Sequence, residues 1–116
     1  MADKRWVDGF GAAITVCDTN GIVLDMNEKA SKTFAKDGGT ELIGKSLIQC
    51  HPEPARSKLL KMLKEPSVNC YTIEKNDVKK MIYQAPWHEN GEYKGIVEMS
   101  FEIPFEMRHF VRKPNQ

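Results

Sequence analysis

The chain has 116 residues and a formal net charge of +1, with 41% apolar and 28% charged residues. This length and composition predict one folded domain with a single core rather than a disordered protein. The near-neutral charge gives no indication of nucleic-acid binding, and no apolar run approaches the ~20 residues of a membrane span. The three cysteines are odd in number and widely spaced. They predict a reducing, cytoplasmic location rather than a disulfide framework.

The first part of the chain predicts a β-hairpin followed by a helix. Residues 13–17 and 22–26 are short β-prone runs, and the turn "DTNG" at 18–21 separates them. Asp, Asn and Gly in such a turn are typical of a hairpin. Asn27 is a good N-cap, so a helix is expected to begin there and to cover 28–36.

The middle of the chain predicts a longer amphipathic helix over 54–64. Pro54 suits its first turn and Pro66 ends it. A shorter helical turn is expected at 40–46, where the sequence reads "TELIGKS". Apolar residues recur at helical spacing within the longer helix: Ala55, Leu59, Met62 and Leu63.

The last part of the chain changes to a period of two and predicts three strands, at 69–75, 79–87 and 93–103. Asn90-Gly91 is a strong hairpin turn between the last two of them. In the last strand, apolar and polar side chains alternate, and we expect the apolar set to face the core. The apolar set is Val97, Met99, Phe101 and Ile103, and the polar set is Glu98, Ser100 and Glu102.

This order of elements predicts an α+β fold of two layers, with a five-stranded antiparallel sheet and helices packed on one face. We expect an N-terminal segment with helical character at 1–11, the domain proper at 12–104, and a tail at 105–116. The tail is amphipathic enough to form a short helix or an interaction arm.

Three stretches in the right order resemble a PAS domain. They are "ITVCDTNGIVLDMNEKASKTF" (14–34), "LIGKSL" (42–47) and "NGEYKGIVEMSFEI" (90–103). The resemblance implies the sheet order 2-1-5-4-3 and a sensory or protein-interaction module that is often dimeric. Some members of the family bind haem, flavin or small metabolites between the helices and the sheet. Where many members have Asp-Ile-Thr, this chain has Glu-Ile-Pro at 102–104, so we expect a partner to supply the output.

The stretch "LIQCHPEP" at 47–54 places a thiol beside an imidazole. Cys50 and His51 have the chemistry of metal ligands, and of a nucleophile with its base. However, adjacent side chains point in different directions, and no further ligand stands at a metal-site spacing. We therefore expect a structural junction, with Cys50 as a small hydrophobe and His51 held extended by Pro52.

Two alternatives remain open for the same pair. One is a haem- or metal-binding sensor that uses His51 or Cys50, and the other is a small enzyme that uses Cys50. The sequence offers no complete catalytic set, so we expect the chain not to be an enzyme. We also expect no metal site and no resident cofactor, and the alternatives for a cofactor are haem and a small metabolite.

A ligand pocket between the layers is expected from apolar and adaptable side chains of both. The alternative is that these residues simply fill the core. The candidates are Phe34, Leu47, Cys50, His51, Leu59, Met62, Tyr71, Met81, Tyr83, Met99 and Phe101.

Apolar residues flank the predicted sheet at both ends of the chain and predict a homodimer contact. The alternative is that they fold back on their own sheet. The candidates are Trp6, Val7, Phe10, Phe105 and Phe110. Together these expectations describe a signalling module that binds a small molecule or a protein partner and contacts neither nucleic acid nor membrane.

Overall fold

A computed structural model describes residues 5–115 of the chain. The helices are α1 (Arg5–Asp8), α2 (Glu28–Thr33) and α3 (Ala55–Lys64), and the strands are β1 (Ala13–Cys17), β2 (Val23–Met26), β3 (Asn69–Lys75), β4 (Val78–Glu89) and β5 (Glu92–Ile103). Short 3-10 turns occupy Ala35–Asp37, Gly39–Leu42 and Ile48–Cys50. Within this part of the chain, no helix has the length and apolar character that a bilayer crossing needs.

The five strands form one antiparallel sheet in the order β2-β1-β5-β4-β3. This confirms both the predicted α+β fold and its strand order. The longest pairing joins β4 to β5, from Lys79 opposite Ile103 to Glu89 opposite Glu92. The β5 strand therefore lies at the centre of the sheet, between β1 and β4.

The first hairpin has its turn at 18–21, as the sequence predicts, and a side chain closes it. The Asp18 Oδ1 atom accepts hydrogen bonds from the backbone N–H groups of Asn20, at 2.9 Å, and Ile22, at 3.0 Å. Gly21 has a φ of 79°. A Cβ at Gly21 would lie 2.8 Å from Cδ1 of Ile48, so the turn also packs closely on the helical layer.

Asn27 is buried and joins three segments through four hydrogen bonds. Its Oδ1 accepts from the backbone N–H of Ile14 and of Ala30, each at 2.9 Å. Its Nδ2 donates to the carbonyls of Val7, at 2.9 Å, and Ala12, at 2.8 Å. Asn27 is thus the predicted cap of α2, and it also attaches the segment before β1 to the start of that helix.

The core lies between the helices and one face of the sheet, which we call the inner sheet face. Leu59, Met62 and Leu63 of α3 are buried there, which confirms the predicted apolar stripe of that helix. Other buried members of the same cluster are Ala13, Cys17, Val23, Met26, Ala30, Leu42, Leu47 and Ile96.

The prediction that the apolar side of β5 faces the core is wrong. The inner sheet face carries Ile96 and Glu98, and Glu98 is only 6% exposed. The register confirms this, because Glu98 lies opposite Gln84 of β4 and Thr15 of β1, both buried. The apolar set Val97, Met99, Phe101 and Ile103 lies on the other face, half-buried. Alternation shows which residues share a face, but it does not show which face the helices cover.

The two ends of the chain carry exposed aromatic side chains. The α1 helix is a single turn, and residues 104–115 form neither helix nor strand. Of the two alternatives for the tail, the short helix is therefore absent, and the interaction arm stays a prediction. Trp6 and Phe10 pack edge to face, with ring centroids 6.4 Å apart. Trp6 is nevertheless 70% exposed, and Phe110 is 66% exposed. Residues 1–4 and 116 of the two predicted terminal segments lie outside the described residues.

Candidate ligand-binding cavity

A cavity of about 590 Å³ lies between the helical layer and the inner sheet face of β3, β4 and β5. Most of its wall is apolar. The helical side contributes Thr33, Phe34, Cys50, His51, Pro52, Glu53, Pro54, Ala55 and Lys58, and the sheet contributes Asn69, Tyr71, Ile73, Lys80, Ile82, Glu98 and Ser100. A cavity of this size and character is typical of sites for small molecules.

The predicted pocket residues fall into three groups in the structure. Phe34, Cys50, His51 and Tyr71 line the cavity, and their role as ligand contacts stays a prediction. The remainder do not line it: Leu47, Leu59 and Met62 are buried in the core, and Met81, Tyr83, Met99 and Phe101 lie on the opposite face of the sheet.

The four residues on the opposite face of the sheet share one cause. Tyr71 lies opposite Ile82, and Ile82 lies opposite Ser100, so these three share the inner sheet face. Tyr83 and Met99 are each one residue away and point to the other side. Counting from the turn at 76–77 places Tyr71 opposite Ile82, but the register shift between Trp87 and His88 is not visible in the sequence, so Ser100 could not be found in the same way. The apolar alternation of β5 favoured the wrong face.

His51 is buried, and both of its ring nitrogens are engaged. Nδ1 lies 3.0 Å from the backbone oxygen of Leu47, and Nε2 lies 2.8 Å from Oε1 of Glu98. A carbonyl oxygen can only accept, so Nδ1 must carry a proton. A second proton then lies between Nε2 and the carboxylate. The geometry therefore defines an imidazolium–carboxylate pair, or its neutral equivalent that shares one proton.

The pair belongs to a network that crosses three strands. Oε1 of Glu98 also accepts from the side-chain amide of Gln84 at 2.8 Å, and Oε1 of Gln84 accepts from Asn69 at 3.0 Å. Every buried side-chain nitrogen or oxygen of residues 5–115 has a hydrogen-bond partner. The network explains how an acidic side chain is tolerated on the covered face of the sheet.

Burial and charge act in opposite directions on His51. Burial lowers the pKa of the imidazole, but the hydrogen bond and charge of Glu98 raise it, assisted by the Leu47 carbonyl and the charge of Asp37. The net effect places the pKa of His51 above its ordinary value. This direction agrees with the charged form that the hydrogen bonds indicate.

The thiol of Cys50 is not activated. Burial raises its pKa above the ordinary value, and the charges of Asp37 and Glu98 act in the same direction. A reactive cysteine needs the opposite shift, toward the thiolate. His51 cannot serve as its base in this geometry either, because both imidazole nitrogens are bonded to other groups.

The same geometry bears on the metal and haem alternatives. An iron or zinc ion could bind His51 only by displacing Glu98 from Nε2 or Leu47 from Nδ1. Among residues 5–115, no group of three His, Cys, Asp or Glu side chains is placed to hold a metal ion. Neither donor set nor geometry fits a metal centre at the Cys50–His51 pair.

The second candidate surface is the face of the sheet that the helices leave uncovered, which we call the outer sheet face. It is largely apolar and only half-buried, and Tyr83 on it is exposed. Its apolar members include Ile14, Val16, Met81, Tyr83, Val97, Met99, Phe101 and Ile103. A continuous apolar face of this kind is typical of an interaction surface.

The predicted dimer residues at the two ends of the chain remain accessible. Trp6, Phe10, Phe105 and Phe110 are exposed, and Val7 is half-buried. The guanidinium carbon of Arg108 lies 5.3 Å from the centre of the Phe110 ring, so part of the tail packs on itself. The role of the five predicted residues in a dimer contact stays a prediction.

Known structures share this fold. The chain matches no protein-family model and no curated protein sequence. It is similar to the PAS domain of an HTR-like protein from Haloarcula marismortui, with a TM-score of 0.61 and 14% identity over 86% of this chain and 93% of the other. The PAS domain of BvgS from Bordetella pertussis gives a TM-score of 0.61 and 20% identity, covering 87% and 83% of the two chains.

A third similar structure is a receptor from Vibrio cholerae that is described as a dual PAS-haem oxygen sensor. It has a TM-score of 0.58 and 21% identity, covering 84% of this chain and 99% of the other. Identities this low show the fold and leave the function open. The chain therefore has the PAS fold, as its sequence motifs predict.

Proposed function

We propose that this chain is a sensory module that binds a small molecule in its cavity and signals through the outer sheet face, without catalysing a reaction. One observation carries the proposal. The cavity wall includes His51, which is hydrogen-bonded to Glu98 of β5, the central strand whose other side forms the outer sheet face. Similar structures that belong to receptors and sensor kinases support the same function.

The route from cavity to surface is short. Glu98 faces the cavity, while its neighbours Val97 and Met99 lie on the outer sheet face. A ligand that competes for Glu98 or moves the hinge segment (residues 50–54) would alter the position of β5. A change at the cavity would then reach a partner bound to the outer sheet face.

Native mass spectrometry of the freshly purified protein tests the ligand proposal. We expect a bound small molecule on the wild-type chain. A Ser100→Trp variant should lose it, because the new side chain would enter the cavity from β5. The control is Thr72→Trp, which adds the same ring on the exposed outer side of β3. Equal ligand occupancy in the Ser100 and Thr72 variants would contradict binding in this cavity.

The outer sheet face is the proposed self-association surface, together with Trp6, Val7, Phe10, Phe105 and Phe110. We expect a homodimer at micromolar concentration, with a signalling protein as the further partner. Burial of apolar surface would stabilise such a dimer, and a carboxylate placed at its centre would oppose it.

Sedimentation velocity tests the dimer. The Tyr83→Glu, Phe101→Glu double variant should be a monomer and should raise the dissociation constant at least about 100-fold, since two buried charges cost several kcal/mol. Leu60→Glu is the control, because Leu60 is exposed on α3, away from the sheet. A wild-type chain that stays strictly monomeric would contradict the proposal.

Haem binding is not the function that the geometry favours, although one similar protein is described as a haem sensor. The His51 imidazole is fully hydrogen-bonded, and an iron ligand needs a free ring nitrogen. The three cysteines are free thiols, which favours a reducing compartment such as the cytoplasm as the site of action.

A further inference from the structure

We propose that the cavity binds a small carboxylic acid with a flat apolar body and a neutral N–H or O–H donor at the end away from the carboxylate. The inference rests on the proposed function, since it names the ligand class of the same cavity. Three parts of the wall carry it: an unused acceptor at the buried end, an apolar middle, and two lysines at the open end.

The buried end presents an acceptor. Within residues 5–115, both hydrogen bonds to the Glu98 carboxylate end on Oε1. Oε2 has no such bond, yet no buried side-chain oxygen of these residues lacks a partner. Oε2 must therefore remain accessible, and Glu98 lines the cavity. An accessible carboxylate oxygen that faces a cavity is complementary to a hydrogen-bond donor of the ligand.

The charge at this end favours a neutral donor over an ammonium group. Glu98 is already paired with His51, and the two share a proton as an imidazolium–carboxylate pair or its neutral equivalent. The pair is neutral as a whole, so a ligand cation would bring an unbalanced charge into a mostly apolar cavity. An indole N–H or a phenol O–H would satisfy Oε2 without that cost.

The middle of the cavity is apolar and suits a ring. Phe34 comes from the helical side, and Tyr71 and Ile82 come from the sheet. Tyr71 and Ile82 are directly opposite each other in the register of β3 and β4, so they form a continuous wall. Aromatic and branched side chains on facing walls favour a flat apolar body.

Two lysines line the more exposed end of the cavity. Lys58 of α3 is exposed, and Lys80 of β4 lies opposite Ile73, which is 41% exposed. Neither lysine forms an ion pair within residues 5–115. Two acids lie nearby. Glu53 also lines the cavity, but both of its carboxylate oxygens accept hydrogen bonds from Ser57, and Glu102 is exposed opposite Lys80. Two lysines without an ion pair at the mouth are complementary to a ligand carboxylate.

Calorimetric titration of the full chain with three matched probes tests the inference. Indole-3-propionate has the ring, the donor and the carboxylate. 1-Naphthylpropionate lacks the donor, and tryptamine replaces the carboxylate by an ammonium group. We expect indole-3-propionate to bind at least about tenfold more tightly than either, because each lost polar contact is worth about 1.4 kcal/mol or more.

A lysine variant tests the mouth separately. Lys58→Gln with Lys80→Gln should weaken indole-3-propionate about tenfold, while Lys61→Gln with Lys64→Gln, on the same helix but outside the cavity wall, should leave it unchanged. Equal affinity for the three probes, or no binding of any of them at millimolar concentration, would overturn the ligand class. The proposed function is judged separately, by the mass of the protein purified from cells.

Discussion

Replacing Gly95 by alanine is expected to lower the free energy of unfolding by about 3 kcal/mol or more, enough to leave much of the protein unfolded. Gly95 is buried in β5 with a φ of 144°, a conformation that side chains strongly disfavour. An added Cβ would overlap the carbonyl oxygen of Cys17 and approach the Asp18 carbonyl carbon to 2.8 Å. Backbone atoms of a paired strand cannot yield as a flexible side chain can.

The Cys17 carbonyl has a second partner, which enlarges the loss of stability expected for Gly95→Ala. The indole N–H of Trp87 donates to the Cys17 oxygen at 3.0 Å, and Trp87 lies opposite Gly95 in the register. Displacing the carbonyl would therefore also weaken this hydrogen bond. Gly95 is needed because three segments of backbone and one indole meet at this point.

Urea unfolding of Gly95→Ala beside Gly91→Ala checks this reasoning. Gly91 also has a positive φ, of 79°, but a Cβ there would meet nothing within 4 Å. Its replacement should cost only the local backbone strain, about 1–2 kcal/mol. A similar loss in the two variants would show that strain alone, and not the approach of Cys17, explains the need for glycine at Gly95.

Most of the fold could be predicted from local chemistry. The Asp18 turn, the cap at Asn27 and the Asn90-Gly91 hairpin act within a few residues, and each is recognisable from its side chains. The order of the strands followed from the resemblance that these motifs support. Local signals of this kind do not depend on which face of the sheet the rest of the chain buries.

The face of the sheet could not be predicted in the same way. The β5 strand has an apolar side and a polar side, and hydrophobicity alone favours burial of the apolar side. The opposite holds here, because Glu98 is paired with a histidine 47 positions earlier in the chain. A buried polar network depends on distant partners, so a single strand gives no sign of it.

The candidate site was predictable only in part for the same reason. Cys50 and His51 were recognisable as a chemical pair, but His51 is hydrogen-bonded to Leu47 and Glu98 and not to Cys50. Lys58, Lys80 and Ser100 join the cavity through the packing of α3 on the inner sheet face. Residues of this kind are ordinary surface positions in the sequence, and only the tertiary arrangement gives them a common site.

Replacing His51 by leucine is expected to lower the free energy of unfolding by about 3–5 kcal/mol, since it leaves the buried carboxylate of Glu98 without its counter-charge. Removing the acid instead should cost less. In Glu98→Gln, the imidazole can lose its proton near neutral pH and keep the Nδ1 hydrogen bond to Leu47. The two single variants should therefore differ, although each breaks the same pair.

The double variant His51→Leu, Glu98→Gln is the control for packing. Its amide oxygen can still accept from Gln84, and no charge is buried. It should recover at least half of the loss seen in His51→Leu. If it is as unstable as His51→Leu, the loss comes from the packing around the imidazole rather than from the unpaired carboxylate.

The pH dependence of stability separates the charge of the pair from its hydrogen bonds. The native pKa of His51 is raised above its unfolded value of about 6.5. The native state then binds the proton more tightly, so the stabilisation is complete below about pH 6.5 and is lost as pH rises through the native pKa.

His51→Gln can still donate to Glu98 but cannot titrate. The stability difference between the wild type and this variant should therefore shrink from about pH 6 to pH 8.5, measured by urea unfolding in steps of pH. A constant difference would mean that the imidazole is not charged in the native state.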